Sequence, residues 1–241
     1  MQTIHSTDVE LGHLAHPGEG AHPGVVVIPD VWGLSEHYRG IARRLADDGL
    51  AALVVDLYRR APEPKIDDPG AFIRALDDRQ VIGDVQAAID FLGAHPAVGA
   101  LRVGLTGFCM GGMYALLAGA SCRGLSAVVA FYGMLSDEHG LLAPAPGERH
   151  DRARKPRTPL AAAGDLACPT LAFFGEDDPF IAVDDVHRFE SKLAEEHRVV
   201  VYPGAGHAFM NDGRPEMYRP AVAADAWARM TAWFHRHLGK R

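Results

Sequence analysis

The sequence predicts an α/β protein in which helices cover both faces of a mostly parallel central sheet. Apolar runs typical of buried strands alternate along the chain with segments of helical spacing. At 241 residues and 48% hydrophobic, the chain is long enough to bury one large core. It shows no internal repeat and no sharp break in composition. We therefore expect a single domain over residues 1–241.

The predicted strands are short and apolar, and the helices between them carry apolar residues at helical intervals. The sequence indicates strands at 24–30, 50–57, 101–106, 125–132, 170–174 and 198–202. It indicates helices at 35–48, 72–76, 81–92, 113–118 and 221–238.

One stretch breaks this regularity. Residues 140–166 are rich in Pro, Gly, Arg and Ala and have no hydrophobic period. Irregular segments of this length are uncommon in compact domains and serve as lids, as binding loops or as mobile surface insertions. The sequence favours none of these over the others, so we expect an irregular loop or lid insertion here.

Charge and composition exclude several classes of function. The net charge of −7 and the pI near 6.0 argue against a nucleic-acid partner. No apolar run approaches the ~20 residues of a membrane span, and the first residues lack a signal-peptide pattern. Three cysteines without metal-like spacing indicate free thiols in a reducing compartment. We expect a cytoplasmic protein that binds neither nucleic acid nor membrane.

The most informative motif surrounds Cys109. An apolar run ends in Gly107-Phe-Cys-Met-Gly-Gly112, and good helix formers follow. This is the strand–turn–helix pattern of a nucleophile elbow, G-x-S-x-G, with cysteine in place of serine. The glycines allow strand and helix to close around a nucleophile in a strained conformation. A glycine-rich turn with an inert buried cysteine is the alternative, which the position after a strong strand makes the weaker interpretation.

A thiol nucleophile needs a base and a group that orients it, and both follow later strands in the chain. The run after strand 170–174 offers Glu176, Asp177 and Asp178 as acids, and His207 follows strand 198–202. Taken singly, Asp178 before Pro179 is an ordinary turn former and His207 is one loop histidine of 13. Three suitable residue types in the required order favour a catalytic triad.

With these motifs the chain resembles the dienelactone hydrolases (carboxymethylenebutenolidases), a family of the α/β-hydrolase fold. The resemblance rests on the cysteine elbow, on Phe174-Gly-Glu-Asp-Asp-Pro-Phe-Ile181 and on Gly206-His-Ala-Phe209. It implies Cys109 as the nucleophile, Asp178 as the triad acid and His207 as the base, with no metal or organic cofactor. It also implies a small-molecule ester or lactone as substrate.

The family resemblance implies a fourth carboxylate after the first long strand, which helps to form the thiolate. Here Asp30 stands where well-known members have glutamate. The alternative is that Asp30 only orders the following loop. The backbone N–H groups of Val31 and Met110 would form the oxyanion hole.

Substrate recognition is where the chain departs from the family. An arginine that holds the substrate carboxylate would stand four residues after His207, where this chain has Asn211. Arg74 and Arg79 lie in the segment that supplies a second arginine, although exposed helix positions are the commoner explanation for such residues. Aromatic residues near the triad in sequence are candidate pocket residues or plain core. They are Trp32, Phe180 and Phe209.

Two other functions remain compatible with the sequence. An activated cysteine also suits a thiol redox or peroxide sensor, and the fold could serve a non-catalytic binder. A sensor needs a resolving thiol, and Cys122 is 13 residues beyond Cys109, ~20 Å along one helix. Cys168 also has the character of a structural residue. We expect a monomer or a small homo-oligomer.

Overall fold

The computed structural model describes residues 3–60 and 64–239, and within them eight strands form one sheet. Their order across the sheet is β1-β2-β4-β3-β5-β6-β7-β8. The strands from β4 to β8 in this order run parallel, whereas β1 and β2 join the edge in antiparallel fashion. The strands are β1 Ile4–Val9, β2 Gly12–Pro17, β3 Gly24–Ile28, β4 Ala51–Val55, β5 Val103–Phe108, β6 Leu125–Phe131, β7 Thr170–Gly175 and β8 Arg198–Tyr202.

The helices of the described residues connect these strands. They are α1 Glu36–Asp47, α2 Pro69–Ala75, α3 Asp78–Ala94, α4 Met110–Gly119, α5 Pro159–Ala162, α6 Val183–Glu190 and α7 Pro220–Leu238. None of these helices is long and apolar enough to cross a membrane.

Two glycines show that helices cover both faces of the sheet. Gly24 of β3 pairs with Val103 of β5, so these two residues face the same side of the sheet. Gly104 follows Val103 in β5 and therefore faces the opposite side. A Cβ on Gly24 would meet Leu92 of α3, whereas a Cβ on Gly104 would meet Phe234 of α7. The predicted single α/β domain with a mostly parallel sheet and helices on both faces is therefore confirmed.

The sequence analysis missed β1, β2 and α6. The hairpin of β1 and β2 is rich in polar residues, and β1 is largely exposed at the edge of the sheet, so its apolar alternation is weak. Helix α6 is short and buries only a narrow stripe that includes Val186 and Phe189. The predicted strand 101–106 begins and ends two residues later, at Val103 and Phe108.

The 140–166 segment is partly ordered. Its first residues, Gly140–Leu142, form a 3-10 turn, and its last residues include α5 and a second 3-10 turn at Ala163–Asp165. Residues 143–158 between them have no helix or strand. The helical ends were not predicted, because each is too short to show a hydrophobic period.

Candidate active site

Cys109 lies between the last residue of β5 and the first residue of α4. Its backbone has φ 55° and ψ −117°, a conformation that non-glycine residues rarely adopt. The Cys109 N–H donates to the carbonyl of Phe131 at the end of β6, at 3.0 Å. The strained residue is thus fixed by the sheet on one side and by the start of a helix on the other.

Glycines are required around Cys109 because backbone occupies the space that side chains would fill. A Cβ on Gly107 would lie 2.0 Å from the carbonyl oxygen of Gly111. A Cβ on Gly111 would lie 2.2 Å from the carbonyl oxygen of Ile28, and one on Gly112 would lie 2.4 Å from that of Phe131. Residues 107–112, called the elbow below, therefore have the close packing that the sequence predicts.

The structure brings Asp178 and His207 together. Each follows the carboxyl end of a parallel strand, β7 and β8 respectively, at the same edge of the sheet as Cys109. His207 Nδ1 lies 2.7 Å from Asp178 Oδ2, and both side chains are buried. The other Asp178 oxygen accepts the Phe180 N–H at 2.9 Å. Glu176 and Asp177 are exposed, so geometry selects Asp178 among the three predicted acids.

The second nitrogen of His207 has no acceptor or donor of its own. Nε2 is buried and makes no hydrogen bond to the described residues. Burial disfavours the charged ring, but the Cys109 thiolate and Asp178 outweigh it and raise the pKa of His207 to about 10. When Cys109 is ionised, His207 is therefore held in its protonated form.

The loop after β3 leaves one N–H free. Asp30 Oδ1 accepts the Trp32 N–H at 3.0 Å, and the Asp30 carbonyl accepts the Gly33 N–H at 3.0 Å. The N–H of Val31 has no acceptor among the described residues, and neither has that of Met110 in the first turn of α4. These are the two groups predicted to form an oxyanion hole.

Asp30 is half-buried in this loop. Burial raises the pKa of its carboxyl above the ordinary value, although the Trp32 N–H and the Tyr38 hydroxyl favour the charged form. Burial, together with negative charge at Asp30 and Cys109, raises the pKa of the Tyr38 and Tyr132 hydroxyls. Asp30 and the thiol therefore share one cluster of buried hydroxyls.

Arg214 is a residue that the sequence analysis missed. Its guanidinium carbon lies 5.5 Å from the centroid of the Trp32 ring, and its charge favours ionisation of Asp30. It stands in the loop after His207, three residues beyond Asn211, which is buried. A cation in that loop was visible in the sequence, but only folding shows that the loop returns to Asp30.

The three predicted pocket aromatics have different environments. Trp32 is 46% exposed, and the Phe180 ring stands edge-on to the His207 ring with centroids 5.1 Å apart. Phe209 is fully buried and packs against Tyr132, which in turn contacts the His207 ring. Full burial gives Phe209 a role in the core rather than in lining an open pocket.

Arg74 and Arg79 bind the 140–166 segment. Arg74 Nη1 donates to the carbonyl of Leu141 at 2.9 Å, and Arg79 Nη2 donates to that of Ala153 at 3.0 Å. A cavity of about 330 Å³ lies between α4 and this segment, and neither Cys109 nor His207 lines it. In this structure both arginines therefore anchor the segment.

The other two cysteines lie in different surroundings from Cys109. Burial raises the pKa of the Cys122 and Cys168 thiols to about 11. No disulfide joins the cysteines, and no group of three or more His, Cys, Asp or Glu in the described residues could hold a metal ion. Cys109 differs from them in acting on His207, whose pKa it raises.

Comparison with known proteins identifies the family of this chain. The profile of the dienelactone hydrolase family matches residues 11–238. A Bradyrhizobium protein named as a 2-oxo-3-(5-oxofuran-2-ylidene)propanoate lactonase is 35% identical, over 96% of this chain and 91% of its own. An Escherichia coli protein named as a carboxymethylenebutenolidase is 33% identical, over 92% of this chain and 80% of its own.

Solved structures give the same result. A Klebsiella pneumoniae structure named as a dienelactone hydrolase superposes with a TM-score of 0.82 at 32% identity, over 98% of this chain and 99% of its own. A dienelactone hydrolase-like promiscuous phosphotriesterase from metagenomic libraries gives 0.75 at 27% identity, over 99% of both chains. The family profile, the relatives and the solved structures thus agree, and the chain belongs to the dienelactone hydrolase family.

Proposed function

We propose that this protein is a thiol hydrolase that cleaves activated carboxylic esters or lactones through Cys109, His207 and Asp178. The observation that carries the proposal is the buried, unpaired Nε2 of His207 beside a cysteine held in a strained elbow, with Nδ1 bound to Asp178. Relatives whose names describe lactone hydrolysis support the substrate class.

The first half-reaction transfers the acyl group to sulfur. The Cys109 thiolate attacks the carbonyl carbon, and the C=O electron pair moves to oxygen, where the N–H groups of Val31 and Met110 stabilise it. A single donor of this kind contributes about 3 kcal/mol in comparable sites. When the tetrahedral intermediate collapses, the alcohol or enol leaves with a proton from His207, and a thioester remains.

The second half-reaction consumes water. His207, now neutral and oriented by Asp178, removes a proton from water as the water attacks the thioester carbonyl. Collapse expels the Cys109 thiolate and releases the carboxylic acid, which restores the thiolate–imidazolium pair. A thiolate leaves more readily than an alkoxide, so the first intermediate reverts unless the substrate has a good leaving group. Enol esters and lactones meet this requirement better than amides.

The proposal also gives roles to Asp30 and Arg214. In this proposal Asp30 assists formation of the thiolate, and Trp32 and Phe180 line the substrate pocket. Arg214 brings a guanidinium to Trp32, which favours substrates with a negative charge near the reacting carbonyl. We propose a small-molecule substrate and a reaction that needs no metal or organic cofactor.

The test is hydrolysis of a panel of neutral and anionic aryl esters and small lactones. Cys109→Ala is expected to abolish turnover, whereas Cys168→Ala, which removes another buried thiol, is expected to retain it. Turnover by Cys109→Ala would refute the thiol mechanism. A wild-type protein that hydrolyses nothing but reacts with peroxide at Cys109 would instead support redox sensing.

A further inference from the structure

Tyr58 contacts both residues whose N–H groups are proposed to form the oxyanion hole. It lies in the loop after β4, and its hydroxyl donates to the carbonyl oxygen of Val31 at 2.8 Å. The same hydroxyl lies 3.9 Å from the sulfur of Met110. The proposed mechanism gives Tyr58 no role.

The ring of Tyr58 is held in place on two sides. A Cβ on Gly33 would lie 2.8 Å from the Tyr58 ring, so the ring packs directly on the loop after β3. Gly33 also has φ 76°, where glycine is favoured. On its other side the Tyr58 ring stands edge-on to Phe72, with centroids 5.6 Å apart. The hydroxyl therefore has a fixed position relative to the loop.

The hydrogen bond from Tyr58 comes from outside the loop. The N–H groups of Trp32 and Gly33 bond to Asp30, a contact within the loop itself. The Val31 carbonyl is tied by the Tyr58 hydroxyl to another element, the loop after β4. Fixing that carbonyl limits rotation about Val31 and so sets the direction of the Val31 N–H.

We infer that Tyr58 is a positioning residue that aligns the Val31 N–H group for the developing oxyanion by holding the carbonyl of the same residue. The inference rests on the proposed function, since it concerns the hole used in acyl transfer. Such donors act only when they are held near the position of the charged oxygen, and small misplacements are costly. Burial, with the charges of Asp30, Asp56 and Cys109, raises the pKa of Tyr58, so its hydroxyl keeps its proton.

The experiment compares two reactions of the same thiol. Acylation of Cys109 by an aryl ester develops an oxyanion, whereas alkylation by iodoacetamide displaces iodide and develops none. Single-turnover acylation and alkylation are measured for wild type, for Tyr58→Phe and for Tyr202→Phe. Tyr202 is the matched control because its hydroxyl donates to Asp225, away from the hole, at 2.7 Å.

We expect Tyr58→Phe to lower the acylation rate constant about 10- to 100-fold, with KM and the alkylation rate unchanged. Tyr202→Phe is expected to match wild type in both reactions. Unchanged acylation in Tyr58→Phe, or an equal fall in acylation and alkylation, would overturn the positioning role while leaving the hydrolase intact. A wild-type protein that is alkylated but never acylated would refute both the role and the proposed function.

Discussion

The elbow and the 140–166 segment are held in place by different kinds of contact. At the elbow, backbone carbonyls lie where side-chain carbons would be, and no side chain could adjust to relieve a clash. The 140–166 segment meets backbone at its first residue, where a Cβ on Gly140 would lie 2.1 Å from the Phe180 carbonyl oxygen. Beyond it, side chains from α2 and α3 reach the segment, and Gly147 and Gly164 have open space around them. Geometry fixed by backbone tolerates no added atom, whereas geometry fixed by side chains depends on a few polar pairs.

The largest effect is expected from one methyl group at the elbow. Gly111→Ala would place a Cβ 2.2 Å from the Ile28 carbonyl oxygen and 2.4 Å from that of Pro29. Because only backbone movement can relieve this, we expect a loss of more than about 3 kcal/mol in the free energy of unfolding or failure to fold. Urea unfolding measures it.

Gly164→Ala is the matched control in the 140–166 segment. Nothing lies within 4 Å of its added carbon, so its stability should stay within about 1 kcal/mol of wild type. Equal losses in the two variants would contradict the contrast between the two regions.

The second-largest effect is expected from loss of the ion pair between Lys155 and Asp78. Lys155 Nζ lies 2.6 Å from Asp78 Oδ1 and 2.8 Å from the hydroxyl of Tyr114, a fully buried residue of α4. Lys155→Met would leave the buried Asp78 carboxylate without its cation, at a cost of about 3 kcal/mol. We expect thermal unfolding at lower temperature with the ester kcat little changed.

A second variant separates charge from packing. Adding Asp78→Asn to Lys155→Met removes the buried negative charge and should recover most of the lost stability. If the double variant is as unstable as Lys155→Met, packing of the lysine stem holds the segment, and the ion pair does not.

The smallest effect concerns pH and the loop after β3. Burial raises the pKa of Asp30, so the folded protein binds this proton more tightly than the unfolded chain does. This tighter binding of the proton stabilises the folded protein fully below the ordinary aspartate pKa of about 3.9. The stabilisation is lost as the pH rises through the raised pKa of Asp30. Asp30→Asn cannot ionise and is expected to raise the Tm at neutral pH.

That gain should shrink as the pH is lowered toward the ordinary pKa of an aspartate, and Tm measured across this range checks it. The exposed Asp67 provides the control Asp67→Asn, which should show no such trend. A gain in Tm that is constant with pH would mean that packing, and not ionisation, distinguishes Asn from Asp at position 30.

The fold class and the elbow could be predicted from the amino-acid sequence. Apolar runs and glycines are local signals, because a buried parallel strand must be apolar and a turn with backbone at contact distance must be glycine. The order of cysteine, acid and histidine along the chain can also be read from the sequence, and it placed Asp178 and His207 after the correct strands. The polar edge hairpin escaped prediction because exposed strands carry little hydrophobic pattern.

Tertiary structure alone decided which distant residues meet. Asp178, and not Glu176 or Asp177, turns inward to His207 because its other oxygen accepts the Phe180 N–H. Arg214 lies against Trp32, Tyr58 is tied to Val31, and Lys155 binds Asp78 on another element. Such contacts depend on how separate elements pack in space, and a linear pattern of residue types contains no information on those distances.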